Sequence, residues 1–279
     1  FNNQGMALSG LLDRMAKDKY YDEILIDTND ALSKMGPDTL LVVVDTHKND
    51  YVESQEILEK GSKIVLIDHH RRSADFISDP TLTFHEVYAS STCELVTEVV
   101  QYIDAKIELP MVEAEAMYAG ILTDTKNFTF KTGVRTFEAA AYLKKLGVDV
   151  VAVKKLFDND IDTYVAIADV IRNSETINGN IAIAVCPQNF ENAMQVAAQS
   201  ADELISLNGI ETSFVLTDAG EFINISGRSN GDINVQVVLE RLGGGGHQTV
   251  AGAQVYGKTL DEVKAMLVDS INQTEEVKE

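Results

Sequence analysis

Basic residues are scarce in this 279-residue chain: 23 lysines and arginines stand against 44 acids, a formal net charge of −21. Binding to long nucleic acids depends on neutralising many backbone phosphates, and a surface of this sign repels them. The deficit argues against duplexes as partners, and its simplest role is to keep the surface solvated; an acidic chain with a phosphate-type site would favour short or cyclic nucleotides. Cysteines number two, Cys93 and Cys186, far apart and without a CxxC pair. A reduced, cytoplasmic setting with both as small buried hydrophobes is the simplest reading. Long apolar runs are lacking as well, since none approaches the roughly 18 to 20 residues needed to cross a bilayer. The chain opens at Phe1 without a secretory pattern, so a piece of a longer protein is expected.

Two short apolar runs are present, and each stops abruptly at polar residues. One is Lys63-Ile64-Val65-Leu66-Ile67 followed by Asp68-His69-His70; the other is Leu40-Leu41-Val42-Val43-Val44 followed by Asp45-Thr46-His47. Continuous runs of this length suit strands buried on both faces of a parallel sheet, with the helix read over 53–60 as the crossover between them. The polar triplets then fall at the carboxyl ends of the strands, where open α/β sheets build their sites. A carboxylate and imidazoles on two rigid neighbouring strands point to a divalent metal. A packing role suits His47 and His85 as well as a site role.

Downstream, Tyr88-Ala89-Ser90-Ser91-Thr92 precedes a helix predicted over 93–103. Ser90 and Ser91 there can cap the helix or contact phosphate. A second helix, over 112–122, runs into Asp124, and an acid set against the negative end of a buried helix costs stability unless a cation compensates. Asp124 is therefore a candidate metal ligand. Composition shifts near Phe157, where a connecting helix leads into a smaller α+β unit with a hairpin about Asn178-Gly179. That unit also carries Gly243-Gly244-Gly245-Gly246-His247 and Ser226-Gly227-Arg228-Ser229. Glycine runs persist where a ligand or another backbone must come close. With Arg228 and His247 nearby, an anion is the expected visitor.

The set Asp45-Thr46-His47, Asp68-His69-His70, Gly120-Ile121-Leu122-Thr123-Asp124-Thr125 and Gly243-Gly244-Gly245-Gly246-His247 resembles the DHH family of phosphoesterases with its associated C-terminal domain. Within that family, the 88–98 segment and Asp68-His69-His70-Arg71-Arg72 are most similar to the catalytic region of cyclic-di-AMP phosphodiesterases of the GdpP type. The resemblance implies an α/β fold: a parallel-sheet DHH domain with helices on both faces over 1–157, a linker helix over 158–174, and a smaller α+β substrate-binding domain over 175–279. It implies two Mn²⁺ ions held by Asp45, His69 and Asp124, with Asp68 supporting His69 and with His70 near the phosphate. Arg228, Gly243 to Gly246 and His247 would hold the nucleotide in a cleft between the domains, with Ser90 and Ser91 as further contacts. The implied reaction opens cyclic-di-AMP to the linear dinucleotide pApA.

The resemblance also implies a cytoplasmic domain of a bacterial membrane-tethered protein, reaching the membrane only through upstream segments, with a homodimer among the assemblies it allows. The family's first motif, His-x-x-x-Asp-x-Asp, is not found in this chain and is expected upstream of Phe1 or in a stretch missing near the start. About half of the implied ligands are therefore present. Two other readings fit the residues: an oligoribonuclease acting on short linear dinucleotides, and a catalytically incomplete nucleotide-binding module.

Overall fold

The computed structural model describes residues 6–276 apart from 74, 104–107, 159 and 188–191, in two compact units, Phe1–Asp158 and Asn159–Glu279. In the first, helices α1 (Met6–Met15) and α2 (Thr28–Lys34) precede strand β1 (Leu40–Val44). Asp27 starts α2 by accepting the Asp30 N–H at 2.8 Å, the bond that short polar side chains offer a helix's free donors. Helix α3 (Gln55–Lys60) then leads to β2 (Lys63–Asp68), and β3 (Leu82–His85) completes a three-stranded parallel sheet in the order β1-β2-β3.

Side-chain alternation along the central strand β2 feeds two layers. Leu66 packs with Leu58 of α3 and with Ile77 on one face, while Ile67 packs on the other with Ala89 and with Leu95 of helix α4 (Thr92–Ile103). Helices therefore cover both faces, as expected. β1 departs from the expectation of burial on both sides. It forms an edge of the sheet, and although Leu41 and Val43 pack inward, Leu40, Val42 and Val44 stay about half exposed. An apolar run has the same composition at an edge as at the centre, so pattern alone does not separate the two.

The remainder of this unit is helical: α5 (Met111–Asp124), α6 (Val134–Leu146) and α7 (Val150–Lys154). Ala114, Tyr118, Ile121, Ala139, Leu143 and Val153 form their shared core. Each fully buried Leu or Ile contributes about 1.5–3 kcal/mol relative to an exposed one. Helices α4 and α5 approach closely at Gly120, where a Cβ would meet the Cys93 Sγ at 2.3 Å.

The second unit begins with α8 (Ile161–Arg172), read from sequence as a connector. Its Ala166, Ile167 and Val170 are instead buried in this unit's core. Strands β4 (Glu175–Ile177) and β5 (Ile181–Cys186) join through the three-residue loop Asn178-Gly179-Asn180, whose first two residues are left-handed, with φ +52° and +86°. Helix α9 (Ala193–Leu204), β6 (Thr212–Asp218), β7 (Phe222–Ser229), α10 (Val235–Glu240), β8 (Gly245–Gly246), β9 (Val250–Tyr256) and α11 (Leu260–Glu276) follow. The six strands form one mixed sheet in the order β4-β5-β6-β7-β9-β8. Alternate residues of β5 divide its cores, with Ile181 and Ile183 facing α10 and α11, and Ala182 and Ala184 facing α8 and α9. Among the described residues, no helix is long and apolar enough to cross a membrane.

Candidate metal centre

Asp45 is the first residue past β1. Its N–H donates to the Ile67 carbonyl at 3.0 Å, so the ladder to β2 carries on to this point. Its backbone is left-handed, with φ +63°, a region that aspartate visits more readily than most residues but still at a cost. The Thr92 hydroxyl, at the start of α4, donates to Asp45 Oδ1 at 2.8 Å and fixes the carboxylate.

His69 is likewise the first residue past β2. Its Nδ1 lies 3.3 Å from the Ala89 carbonyl, an acceptor only, so that nitrogen carries the proton and Nε2 presents a lone pair. Nε2 stands 3.6 Å from Asp45 Oδ1 and 3.6 Å from Asp124 Oδ2. Asp124, the last residue of α5, thus joins the two strand tips. Burial, followed by the repulsion of Asp45, raises its carboxyl above the usual range against the pull of His69.

These groups fit a divalent cation. The donors are hard oxygen and imidazole nitrogen, with no thiolate among them. A 3.6 Å separation is too long for a hydrogen bond but suits two atoms each about 2.1 Å from one ion. The His69 bond to a backbone carbonyl is the support that metal-ligating histidines ordinarily have. Two carboxylates converging on one place repel each other until a positive charge joins them.

Asp68 has another part than the one expected. It is fully buried, and its Oδ1 accepts the His70 Nδ1–H at 2.8 Å together with the backbone N–H groups of His69 and His70. It therefore holds the ring of His70, while the ring of His69 is held by Ala89. Oδ2 accepts from His47 Nδ1 at 2.5 Å. Burial alone would raise the Asp68 carboxyl, but the bonds from His70 and His47 outweigh it and hold the group well below the usual carboxylate range. The same bond to Asp68 raises His70, ahead of the opposing effect of burial. Asp45, His69 and His70 each place a ligand-type atom within 4.8 Å of the others, a group that does not include Asp124, which meets the rim through its 3.6 Å approach to His69 Nε2.

Ser90 and Ser91 do not face a ligand. Both are buried; the Ser90 hydroxyl donates to Glu94 Oε2 at 2.6 Å, and Ser91 Oγ accepts the Glu94 N–H at 3.0 Å as a helix cap. Glu94, buried beside them, also accepts from Thr136 Oγ1 of α6 at 2.6 Å and so ties the two helices together. Sequence reading missed Thr92 as the partner of Asp45 and Glu94 as a buried hub. The second carried a signal, since Ser91-x-x-Glu94 has capping-box spacing.

The other expected contacts belong to the second unit and gather along the start of β9. Arg228 pairs with Val250 across β7 and β9, and the His247 N–H donates to the Val250 carbonyl at 2.7 Å. The Arg228 Nε also donates to Asp202 at 3.0 Å, so part of its guanidinium serves the fold. The glycine run is partly a strand, with Gly245 opposite Gly252 and Gly246 opposite Ala251. A Cβ at Gly244 or Gly246 would strike the β9 backbone at 2.2 or 2.5 Å, so close approach of another chain segment explains those two glycines. At Gly245, which is exposed, a Cβ would meet nothing within 4 Å.

A parallel sheet with carboxylates and an imidazole gathered at its rim, followed by a mixed-sheet unit with a glycine-rich segment, fits a phosphoesterase-type protein with a candidate divalent-metal site. Known proteins agree. Residues 6–121 match the DHH family, N-terminal domain, and residues 178–274 match the DHHA1 domain. The chain therefore belongs to the DHH family of phosphoesterases, with the DHHA1 domain as its second unit. It is 44% identical over 263 residues to the cyclic-di-AMP phosphodiesterase GdpP of Geobacillus thermodenitrificans, covering 94% of this chain and 40% of that protein. It is 42% identical over 243 residues to the cyclic-di-AMP phosphodiesterase PdeA of Listeria monocytogenes, covering 87% of this chain and 37% of that protein. The chain thus spans about 40% of the length of these curated relatives. In fold it is similar to an exopolyphosphatase-related protein from Bacteroides fragilis, with a TM-score of 0.78 at 20% identity over 93% of this chain and 78% of that one.

Proposed function

We propose that this chain is the catalytic portion of a Mn²⁺-dependent phosphodiesterase that opens cyclic-di-AMP to pApA. The observation that carries the reading is the convergence of Asp45 and Asp124 on His69 Nε2, at 3.6 Å each, on a chain 44% identical to a protein named for that activity.

A phosphodiester resists hydrolysis because its charge repels the incoming nucleophile and its leaving alkoxide is poor. A divalent ion, when bound, supplies Lewis-acid polarisation of a phosphoryl oxygen and a lowered pKa for its water. Asp45, His69 and Asp124 would hold that ion, and their hard donors favour Mn²⁺ over a structural Zn²⁺. We assign His70, whose Nδ1–H is held by Asp68, to contact with the phosphate. In the net reaction, the oxygen of water joins phosphorus and the bond from phosphorus to the ribose 3′ oxygen breaks. That oxygen leaves with a proton, which gives a 5′-phosphate and a free 3′ hydroxyl. In the second unit we assign Gly245, His247 and Arg228 to nucleotide binding. Gly245 supports this best, because neither backbone twist nor crowding requires glycine there.

The experiment is a chromatographic assay of cyclic-di-AMP with and without Mn²⁺, on this chain and on a chain that also carries the family's His-x-x-x-Asp-x-Asp motif. Production of pApA that depends on Mn²⁺ and on Asp124 supports the reading. Binding without turnover in both chains contradicts it.

A further inference from the structure

Behind the rim residues lies a buried set of polar rings that the proposed chemistry does not use. His47, two residues past Asp45, is 1% exposed and enclosed by Phe76, stacked at 5.2 Å between centroids, and by His85, edge-on at 5.4 Å. Its protonation pattern can be read from its partners. The backbone N–H of Ser73 donates to Nε2 at 3.1 Å, so Nε2 carries no proton. The Ser73 hydroxyl, 3.0 Å from the same nitrogen, spends its own proton on the Asp75 carbonyl. The single ring proton of His47 is therefore on Nδ1, where it meets Asp68 Oδ2 at 2.5 Å.

His47, Asp68 and His85 have the composition of a metal site, yet their atoms are already committed to one another. Asp68 Oδ2 takes the His47 proton, His47 Nε2 takes that of Ser73, and His85 Nε2 lies 2.6 Å from the His70 carbonyl, which can only accept. A cation there would displace three bonds in a largely buried place, so the cluster is a hydrogen-bonded scaffold.

We infer that His47 is a positioning residue for the proposed reaction: its Nδ1–H orients the Asp68 carboxylate, which in turn holds His70 by Nδ1 and so aims the His70 ring at the Asp45–His69–Asp124 centre. Three bonds, from the His70 ring and from the backbone N–H groups of His69 and His70, all meet at Oδ1 and leave the other end of the carboxylate unheld. The His47 bond is the one on Oδ2, so it fixes the carboxylate from its opposite end. The ring of His70 lies 4.5 Å from that of His69 and at 62° to it, which sets its approach to the rim. A motion of about 1 Å at a reacting group is enough to cost on the order of a hundredfold in rate. This inference rests on the proposed function for its kinetic consequence and on geometry alone for its structural one.

The test compares His47→Leu, which keeps bulk without a donor, with His47→Asn, whose side-chain N–H can reach Asp68 from close to the position of Nδ1. Two readouts are taken on each protein: the His70 Nδ1 proton in long-range ¹H–¹⁵N spectra, and kcat and KM for Mn²⁺-dependent hydrolysis of cyclic-di-AMP. The expected result for His47→Leu is loss or exchange broadening of that proton signal and a kcat lowered about ten- to a hundredfold, the usual range for outer partners of a metal site, with KM held within about twofold. His47→Asn restores the signal and most of kcat. An unchanged His70 signal in His47→Leu overturns the inference, as does equal loss in both variants, which would mark His47 as packing alone. The kinetic readout is taken on the chain that also carries the His-x-x-x-Asp-x-Asp motif; should that parent show no turnover, the proposed function fails, and the His70 signal still decides the role of His47.

Discussion

The side chains of Asp45 and His69 meet at 3.6 Å although the residues stand 24 positions apart, because each is the first residue past one of two adjacent parallel strands. The register pairs Val44 with Ile67, and the left-handed turn at Asp45 keeps its carboxylate at the rim. Asp124 arrives from a different element, the end of α5, and closes the set.

Removing one of these proposed ligands should weaken metal binding more than removing an outer partner. Asp124→Ala is expected to lower Mn²⁺ affinity by more than about a hundredfold, beyond the ten- to hundredfold usual for outer partners. Isothermal titration with MnCl₂ checks this, with circular dichroism confirming that the fold persists.

Asp68 should impose an acid limit on stability. Its folded-state pKa lies below that of the unfolded chain, about 3.9, so its contribution is fully present above that value and is lost as pH falls below it. Thermal melts of the metal-free protein between pH 7 and pH 3 should show a steep loss of Tm below about pH 4. Asp68→Asn should start lower and lose less over the same interval, since the ionised hydrogen-bond acceptor is already gone.

Cys93 should be inert in the folded chain. Burial, with smaller contributions from Asp124 and Asp45, pushes its thiol up to about 12, and thiolate is the reactive form. Iodoacetamide at pH 8 should leave Cys93 unmodified in the native protein and label it after denaturation, as read by mass spectrometry.

Gly120 is the point where α4 and α5 meet. Gly120→Ala places a methyl group against the Cys93 Sγ and is expected to cost about 1–3 kcal/mol, the usual range for overpacking. The cost should shrink in a Cys93→Ala background, and a denaturant double-mutant cycle measures that coupling.

The two parts of the glycine run should separate fold from binding. Gly244→Ala drives a Cβ into Gly252 and Ala253 and should destabilise the second unit; Gly245→Ala meets nothing and should melt like the parent. If the proposed nucleotide role holds, Gly245→Ala alone weakens cyclic-di-AMP binding while leaving Tm in place.

Much of the candidate site was legible because its residues stop apolar runs. Asp45 and His69 follow five or six strand residues, and Asp124 ends a buried helix; each is a polar side chain where burial would otherwise continue. What escaped depends on direction and on tertiary approach. That Asp68 bonds the ring of His70 rather than that of His69 is decided by how the backbone leaves β2, which no spacing reports. Ser90 and Ser91 are the same residue types whether they cap a helix or contact a phosphate, and Glu94 settles it only once α4 is in place. Glycine disfavours strands, so the pairing of Gly245 and Gly246 with β9 is set by how closely the neighbouring backbone passes.

The claim on which the rest stands is that Asp45, His69 and Asp124 share one divalent cation. Crystals grown in MnCl₂ and measured near the manganese absorption edge test it directly. The account predicts an anomalous peak about 2.1–2.2 Å from His69 Nε2 and from a carboxylate oxygen of each aspartate. A crystal in which manganese binds elsewhere, or leaves these three side chains without an anomalous peak between them, would contradict it.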